Sequence, residues 1–259
     1  MTDAVLVHRS DDGAVATVSI NNAARLNCLG TAQITAFIDA VTALADDAGL
    51  RVLIVAGEGD RAFMGGANLL ELGALNPPRA RDFLTLIHRM CQVLRDLPVP
   101  VIARVNGFCL GAGLEVMAAC DMHIAGDNAV FGMPEVKIGL PSVVEAALLP
   151  RLIGWGRTKL LVYTGDNIDA RTALDWGLVE KVVPAAELDV ALRSWVSSIV
   201  EAGPKAIRLQ KDLIREWEAM PVSDAIEAGI RCMYQAYQSD EPTRMVNEAI
   251  HRLKARKAG

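Results

Sequence analysis

Two glutamates, Glu115 and Glu135, are the residues of this sequence best placed to transfer protons. Glu115 stands among apolar residues at the expected start of a helix, where burial would raise the pKa of its carboxyl group. Glu135 follows Pro134, which constrains the loop around it. Their separation of 20 residues lets the chain return to the same end of the fold. An exposed Glu115, stabilised by the helix dipole, is the alternative interpretation.

Two glycine-rich segments, residues 63–68 and 106–115, could supply backbone amides to the same site. In the second segment a strand should end and a helix begin, so the amide of Ala112 lacks a helical partner and can bind an anion. In the first, paired glycines before Ala67 let an amide point outward, although an ordinary turn would use the same residues. Two such donors beside two carboxylates suit proton transfer next to an oxyanion.

The elements that must position these segments alternate between strand and helix, which predicts an α/β fold. β-branched residues at 5–9 and 15–20, with a turn sequence between them, predict a hairpin. Helical spacing predicts a helix over 31–46, which Thr31 could cap. The further predicted elements are strands at 51–56, 101–105 and 121–125, a helix at 79–95 and a helix from Ala112.

The residues after Pro184 predict helices only, because prolines at 184, 204, 221 and 242 each precede a helical pattern. Their apolar residues form three stripes: Leu188, Leu192, Trp195 and Ile199; Ile226, Ile230, Met233 and Tyr237; and Met245, Ala249 and Leu253. A helical region this apolar needs a partner surface. That surface could be its own core or another subunit.

Composition argues against several classes of protein. The chain has 259 residues, a formal net charge of −5 and a pI near 5.4, which disfavours nucleic-acid binding. No apolar run reaches the roughly 18 residues of a membrane-spanning helix, so we expect no membrane association. The five cysteines form no C-x-x-C pair, and their odd number favours a reducing compartment. We therefore expect a cytoplasmic protein.

Several common site motifs are absent from the sequence. The glycines at 107, 111 and 113 have the wrong spacing for a dinucleotide-binding G-x-G-x-x-G. The four histidines, at 8, 88, 123 and 251, are too scattered to predict a metal site. No serine elbow, H-E-x-x-H pair or P-loop is present.

Residues 63–69, 106–115 and 133–139, in this order and spacing, resemble the enoyl-CoA hydratase/isomerase (crotonase) superfamily. The resemblance continues through residues 161–165, 170–173, 176–179 and 183–184. It implies an α/β fold of the crotonase type, a spiral of ββα units with a C-terminal helical trimerisation region. Residues 1–195 would form the spiral core with the acyl-CoA site and residues 196–259 the helical region. A homotrimer or a dimer of trimers is the implied assembly.

The resemblance also implies the chemistry. The backbone amides of Ala67 and Ala112 would form an oxyanion hole for a thioester carbonyl, and Glu115 and Glu135 would act on one water molecule. The implied reaction is hydration of a trans-2-enoyl-CoA, in which Glu115 deprotonates the water and Glu135 delivers a proton to Cα. No cofactor is expected, because coenzyme A belongs to the substrate. Arg25 could contact the CoA phosphates or be an ordinary surface arginine.

The sequence departs from the common hydratases at two places. Asn68 stands where many of them have aspartate, and the segment 141–146 is slightly longer and adds Glu145. We expect Glu145 to be a salt-bridged structural residue, with a position in the acyl pocket as the alternative. The residues expected to form the wall of that pocket are Leu69, Leu70, Phe83, Leu84, Ile87 and Met90, although apolar residues at helical spacing can equally be plain core.

The sequence is compatible with two other functions of this superfamily. An enoyl-CoA isomerase of the same superfamily moves one proton along the acyl chain and needs one carboxylate, so the presence of both glutamates favours a hydratase. One branch of the superfamily has been associated with AU-rich RNA. The acidic composition argues against that function.

Overall fold

The computed structural model describes residues 3–258, and side chains as far as residue 256, as two β-sheets enclosed by helices. The strands are β1 (Val5–Arg9), β2 (Val15–Ile20), β3 (Val52–Gly57), β4 (Ala62–Met64), β5 (Val101–Val105), β6 (Phe108–Leu110), β7 (Met122–Gly126), β8 (Val130–Gly132), β9 (Ile168–Asp169) and β10 (Lys181–Val183). The helices are α1 (Thr31–Ala45), α2 (Leu69–Leu72), α3 (Pro77–Asp96), α4 (Ala112–Ala118), α5 (Leu149–Thr164), α6 (Ala170–Trp176), α7 (Leu188–Glu201), α8 (Pro204–Trp217), α9 (Val222–Ala236) and α10 (Glu241–Ala258).

From β3 to β8, successive strands alternate between two sheets. The larger sheet has the order β1-β2-β3-β5-β7-β10, and the smaller has the order β4-β6-β8-β9. The pairs β1-β2 and β8-β9 are antiparallel, and the others are parallel. Each strand of the larger sheet from β3 to β7 is thus followed by one of the smaller sheet and then by helix. The expected spiral of ββα units is confirmed, as is the N-terminal hairpin.

The main core lies between the two sheets and helices α1, α3 and α4. A second apolar cluster covers the other face of the larger sheet, where Leu188 and Leu192 of α7 pack on Val52, Ile102 and Ile124. Burial on both faces explains why β3 is a continuous apolar run without alternation, and why β5 is apolar except at Arg104.

The helical region divides into a packed part and an exposed part. The stripe of α7 packs on the larger sheet of its own chain, with Trp195 and Ile199 at its edge. The stripe of α9 stays exposed at four large side chains, namely Ile226, Ile230, Met233 and Tyr237. The expected boundary between residues 195 and 196 falls inside α7, because this helix continues to Glu201.

The expectation that Thr31 caps α1 is wrong, since Gly30 occupies the N-cap position and Thr31 is the first helical residue. Its backbone N–H and its Oγ1 instead donate hydrogen bonds to Glu71 Oε2, at 3.0 and 2.8 Å. Across the described residues, none of the helices is long and apolar enough to cross a membrane.

Candidate active site

The backbone N–H of Ala67 has no acceptor among the described residues, because of the way its segment pairs with Leu29. Residue 67 forms an isolated parallel bridge with Leu29, in which Leu29 donates to Gly66 O and the N–H of Asn68 donates to Leu29 O, both at 2.8 Å. Neighbouring amides of an extended chain point to opposite sides, so the Ala67 N–H points away from Leu29. It donates to no other residue in the described part of the chain.

The N–H of Ala112 also has no acceptor in the described part of the chain, because this residue is the first of α4. Gly111 precedes it with φ 52 and ψ −122, a conformation that favours glycine. Helix α4 also lies very close to β4, since a Cβ on Gly113 would be 2.2 Å from the backbone oxygen of Met64. This close approach brings the Ala112 amide to the same cavity as Ala67.

Glu115 lies one turn beyond Ala112 on α4 and is only 4% exposed. Burial raises the pKa of its carboxyl group from 4.5 to about 8, and the charges of Glu135 and Glu145 add to the rise. The backbone amides of Ala146 and Val143 act in the opposite direction. The buried interpretation of Glu115 is therefore the one that the structure supports.

Glu135 lies in a 3-10 helix, Pro134–Ile138, and its side chain extends to the amino end of α4. A Cβ on Gly111 would lie 2.4 Å from Glu135 Oε1, so this carboxylate packs directly over the residue before Ala112. The Ser142 hydroxyl donates a 2.8 Å hydrogen bond to its other oxygen, Oε2. Burial raises the pKa of Glu135, and the bond from Ser142 partly opposes that rise.

These four groups share one cavity of about 720 Å³ with mainly apolar walls. Ala67, Ala112, Glu115 and Glu135 all line it. A second cavity of about 710 Å³ between α3, α8 and α9 is lined largely by charged side chains, and neither Glu115 nor Glu135 is among them. The first cavity therefore combines two N–H donors with two carboxyl groups, an arrangement that suits proton transfer beside a negatively charged oxygen.

The apolar wall of this cavity was only partly predicted from the sequence. Leu69, Leu84 and Ile87 line the cavity, together with Leu72 and Leu75, which were not predicted from the sequence. Phe83 does not line it, because its position on α3 turns it into the main core. Met90 is likewise in the core.

Leu70, also expected in the wall, is 76% exposed and does not line the cavity. It follows Asn68, which caps α2 by accepting a 3.0 Å hydrogen bond from the Leu70 N–H. Asn68, which stands where many hydratases have aspartate, therefore serves here as a helix cap. Arg25 is exposed, and its charge acts on Cys28, a residue of the cavity wall.

Glu145 lies behind this cavity and is not part of its wall. It occupies a 3-10 turn, Val144–Leu148, and is 6% exposed. Its Oε1 lies 2.7 Å from Nδ1 of His88 on α3. From the sequence, His88 was only one of four histidines too scattered to bind a metal, and no local signal links residues that are 57 positions apart.

Comparison with known proteins identifies the family of this chain. Residues 10–256 match the family model described as enoyl-CoA hydratase/isomerase. A crotonyl-CoA hydratase of Syntrophomonas wolfei is 39% identical over 203 residues, 78% of each chain. A short-chain-enoyl-CoA hydratase of Clostridium acetobutylicum is 34% identical over 92% of this chain and 93% of its own. The crystal structure of an enoyl-CoA hydratase from Bacillus anthracis superimposes with a TM-score of 0.92 at 30% identity, covering 96% of each chain. The chain belongs to the enoyl-CoA hydratase/isomerase family.

Proposed function

We propose that this protein is an enoyl-CoA hydratase that adds water in the syn sense to a trans-2-enoyl-CoA thioester. The observation that carries the proposal is the meeting of two carboxyl groups and two free backbone amides in one cavity. The family membership and the hydratase names of the relatives support it.

The amides of Ala67 and Ala112 bind the thioester oxygen in this reaction. Both donors are held by backbone geometry, so they need no rearrangement as negative charge develops on the oxygen. Addition at Cβ of a conjugated thioester produces an enolate, whose charge resides on that oxygen. The amino end of α4 adds its positive dipole to the same place.

Glu115 and Glu135 divide the proton transfers between them. Glu115 accepts a proton from the attacking water as its oxygen bonds to Cβ, and Glu135 gives a proton to Cα. The pKa of about 8 keeps a proton on the carboxyl group of Glu115 at neutral pH. That arrangement is the one required for the reverse reaction, in which Glu115 protonates the leaving hydroxyl and Glu135 removes the proton from Cα.

The remaining site residues follow from the same proposal. The acyl chain lies along Leu69, Leu84 and Ile87, and Arg25 contacts the phosphates of coenzyme A. These phosphates carry negative charge, which a guanidinium group binds well. The reaction uses no metal or cofactor, because acid–base chemistry and the two amides provide every step.

We also propose that the protein is a homotrimer or a dimer of trimers in the cytoplasm. The exposed stripe of α9 supports assembly, since a contiguous apolar surface of this kind marks an interface. The cysteines, all five of them free thiols, are consistent with a reducing compartment. Light scattering at micromolar concentration tests the assembly, and a stable monomer would contradict it.

A turnover screen tests the function. Purified protein is incubated with saturated, 2-enoyl, 3-enoyl, branched and aromatic acyl-CoA thioesters, and products are separated by chromatography. We expect 3-hydroxyacyl-CoA from the 2-enoyl substrates. Double-bond migration in the 3-enoyl substrates without hydration would identify an isomerase instead, and binding of RNA without turnover in filter assays across salt concentrations would exclude both.

A further inference from the structure

Ser142 is hydrogen-bonded to one of the two glutamates of the cavity, although it lies outside the cavity wall. Its hydroxyl donates a 2.8 Å hydrogen bond to Glu135 Oε2. Its neighbours Pro141 and Val143 line the cavity, and Ser142 itself does not. Ser142 belongs to the segment 141–146, in which the sequence departs from the common hydratases. The steps of hydration need no hydroxyl group at this position, so its contact with Glu135 calls for another explanation.

The chain between the two residues folds back and brings Ser142 to Glu135. The N–H of Leu140 donates to Glu135 O at 3.0 Å, which closes the loop over residues 135–140. Pro141 then restricts the backbone at its own position and at the residue before it. Ser142 is half-buried. Its hydroxyl, on a short side chain, is therefore held beside Glu135 by the backbone.

The other oxygen of Glu135, Oε1, lies against the amino end of α4. A Cβ on Gly111 would be only 2.4 Å from this oxygen. Gly111 directly precedes Ala112, whose N–H binds the thioester oxygen in the proposed reaction. Cα is bonded to the carbonyl carbon that carries this oxygen, whereas Cγ lies two bonds further along the acyl chain. Oε1 is therefore placed for Cα.

Among the described side chains, Ser142 is the one that hydrogen-bonds to Glu135. Lys137 also lines the cavity, but its Nζ donates a 2.7 Å hydrogen bond to Asp166 Oδ1 and so does not hold Glu135. The side-chain conformation of Glu135 thus depends on Ser142 at one oxygen and on the space above Gly111 at the other.

The freedom of this carboxyl group decides between two reactions. Hydration requires Glu135 to act at Cα only. Double-bond migration requires one carboxyl group to act at two carbons: it takes a proton from Cα of a 3-enoyl thioester and returns it at Cγ, while the double bond moves from Cβ=Cγ to Cα=Cβ. That exchange consumes no other reactant and leaves the carboxyl group as it began. A carboxyl group that can swing between the two carbons catalyses migration, and a fixed one does not.

We propose that Ser142 is a positioning residue that fixes the carboxyl group of Glu135 at Cα and thereby commits the site to hydration instead of double-bond migration. This inference rests on the proposed hydratase function. Ser142 lies outside the cavity wall and acts through Glu135.

Product analysis tests this role with trans-2-hexenoyl-CoA and 3-hexenoyl-CoA. The initial rate of hydration is measured with the first substrate, and the initial rate of migration with the second. In Ser142→Ala the ratio of migration to hydration should rise by about tenfold, the effect of losing one hydrogen bond to a charged group. In D₂O the wild type should place deuterium at Cα, and Ser142→Ala should place it at Cγ as well.

Three further variants separate the hydroxyl group from its surroundings. Ser142→Gly also lacks the hydroxyl and should shift the ratio as Ser142→Ala does. Ser142→Thr keeps the hydroxyl and should keep the ratio of the wild type. Ser198→Ala removes the hydroxyl of an exposed serine on α7, which donates to Ser194 O at 3.1 Å, and should change nothing. Circular dichroism checks that each variant is folded.

The outcomes distinguish this role from the hydratase proposal. An unchanged ratio in Ser142→Ala and Ser142→Gly, an equal loss of both reactions, or failure of both variants to fold would show a structural residue only and overturn the role of Ser142. A wild-type protein that hydrates no 2-enoyl thioester would overturn the hydratase proposal and this role with it.

Discussion

Replacing Glu115 with glutamine should stabilise the protein at neutral and higher pH while removing its activity. Burial raises the pKa of this carboxyl group from 4.5 to about 8. The folded protein therefore binds the proton more tightly than the unfolded chain does, and stability falls as the pH rises between these two values. Glutamine resembles the protonated carboxyl group and does not titrate.

The size of the effect follows from the same values. One pKa unit corresponds to about 1.4 kcal/mol. At pH 7, two and a half units above 4.5, titration of Glu115 costs on the order of 3 kcal/mol in unfolding free energy. At pH 9 the cost approaches about 5 kcal/mol, and near pH 4.5 it almost disappears. The unfolding free energy of Glu115→Gln should exceed that of the wild type by up to these amounts at each pH.

Urea unfolding at fixed protein concentration, measured at pH 5, 7 and 9, checks this prediction. The curves of wild type and Glu115→Gln should converge at pH 5 and separate as the pH rises. Glu201→Gln, a change of an exposed glutamate at the end of α7, should leave the pH dependence of the wild type unaltered. Parallel curves for wild type and Glu115→Gln at all three pH values would refute a proton held on a buried Glu115.

Three further predictions concern the reaction itself. Glu115→Gln and Glu135→Gln should each slow hydration of crotonyl-CoA by about 10²–10⁴-fold. The double variant should be slowed by far less than the two factors multiplied together, because both groups act in one transition state. Steady-state kinetics measure these rates, and a thioester-binding assay measures whether substrate still binds. Ala112→Pro removes one N–H donor at a helix position that tolerates proline, so the rate should fall by about 10²–10³-fold while circular dichroism shows a retained fold. Ser142→Ala removes the hydrogen bond that lowers the pKa of Glu135, so the limb of the pH–rate profile that depends on Glu135 should move to higher pH.

Much of the fold could be predicted from local sequence because its signals are local. The hairpin over residues 5–20 and the strand Val101–Val105 were predicted with their observed bounds, since alternating β-branched runs and turn residues act over a few positions. The start of α4 at Ala112 was predicted as well, and with it one free amide. The strand β4 was missed, because three apolar residues inside a glycine-rich loop carry no periodic signal.

The candidate site was predicted to a different extent for each group. The types and spacing of Glu115 and Glu135 indicated a carboxylate pair, and the glycines before Ala67 and Ala112 indicated exposed amides. The wall of the cavity was predicted less well, since helical spacing places Phe83, Leu84 and Ile87 close together on α3 and does not tell which of them faces the core. Whether Phe83 or Leu84 faced the cavity depended on where α1 packs against α3.

The sequence by itself determined the family, the spiral of ββα units and the two glutamates, because each is carried by residues that are close together along the chain. Only the tertiary structure decided which amides and side chains are free. Within residues 3–258 the N–H of Ala67 has no acceptor, because the pairing of Gly66 and Asn68 with Leu29 turns this N–H away from Leu29. Glu145 likewise contacts His88 across 57 positions. Such contacts depend on the packing of whole helices and sheets, and burial, which sets the pKa of Glu115, exists only once that packing is complete.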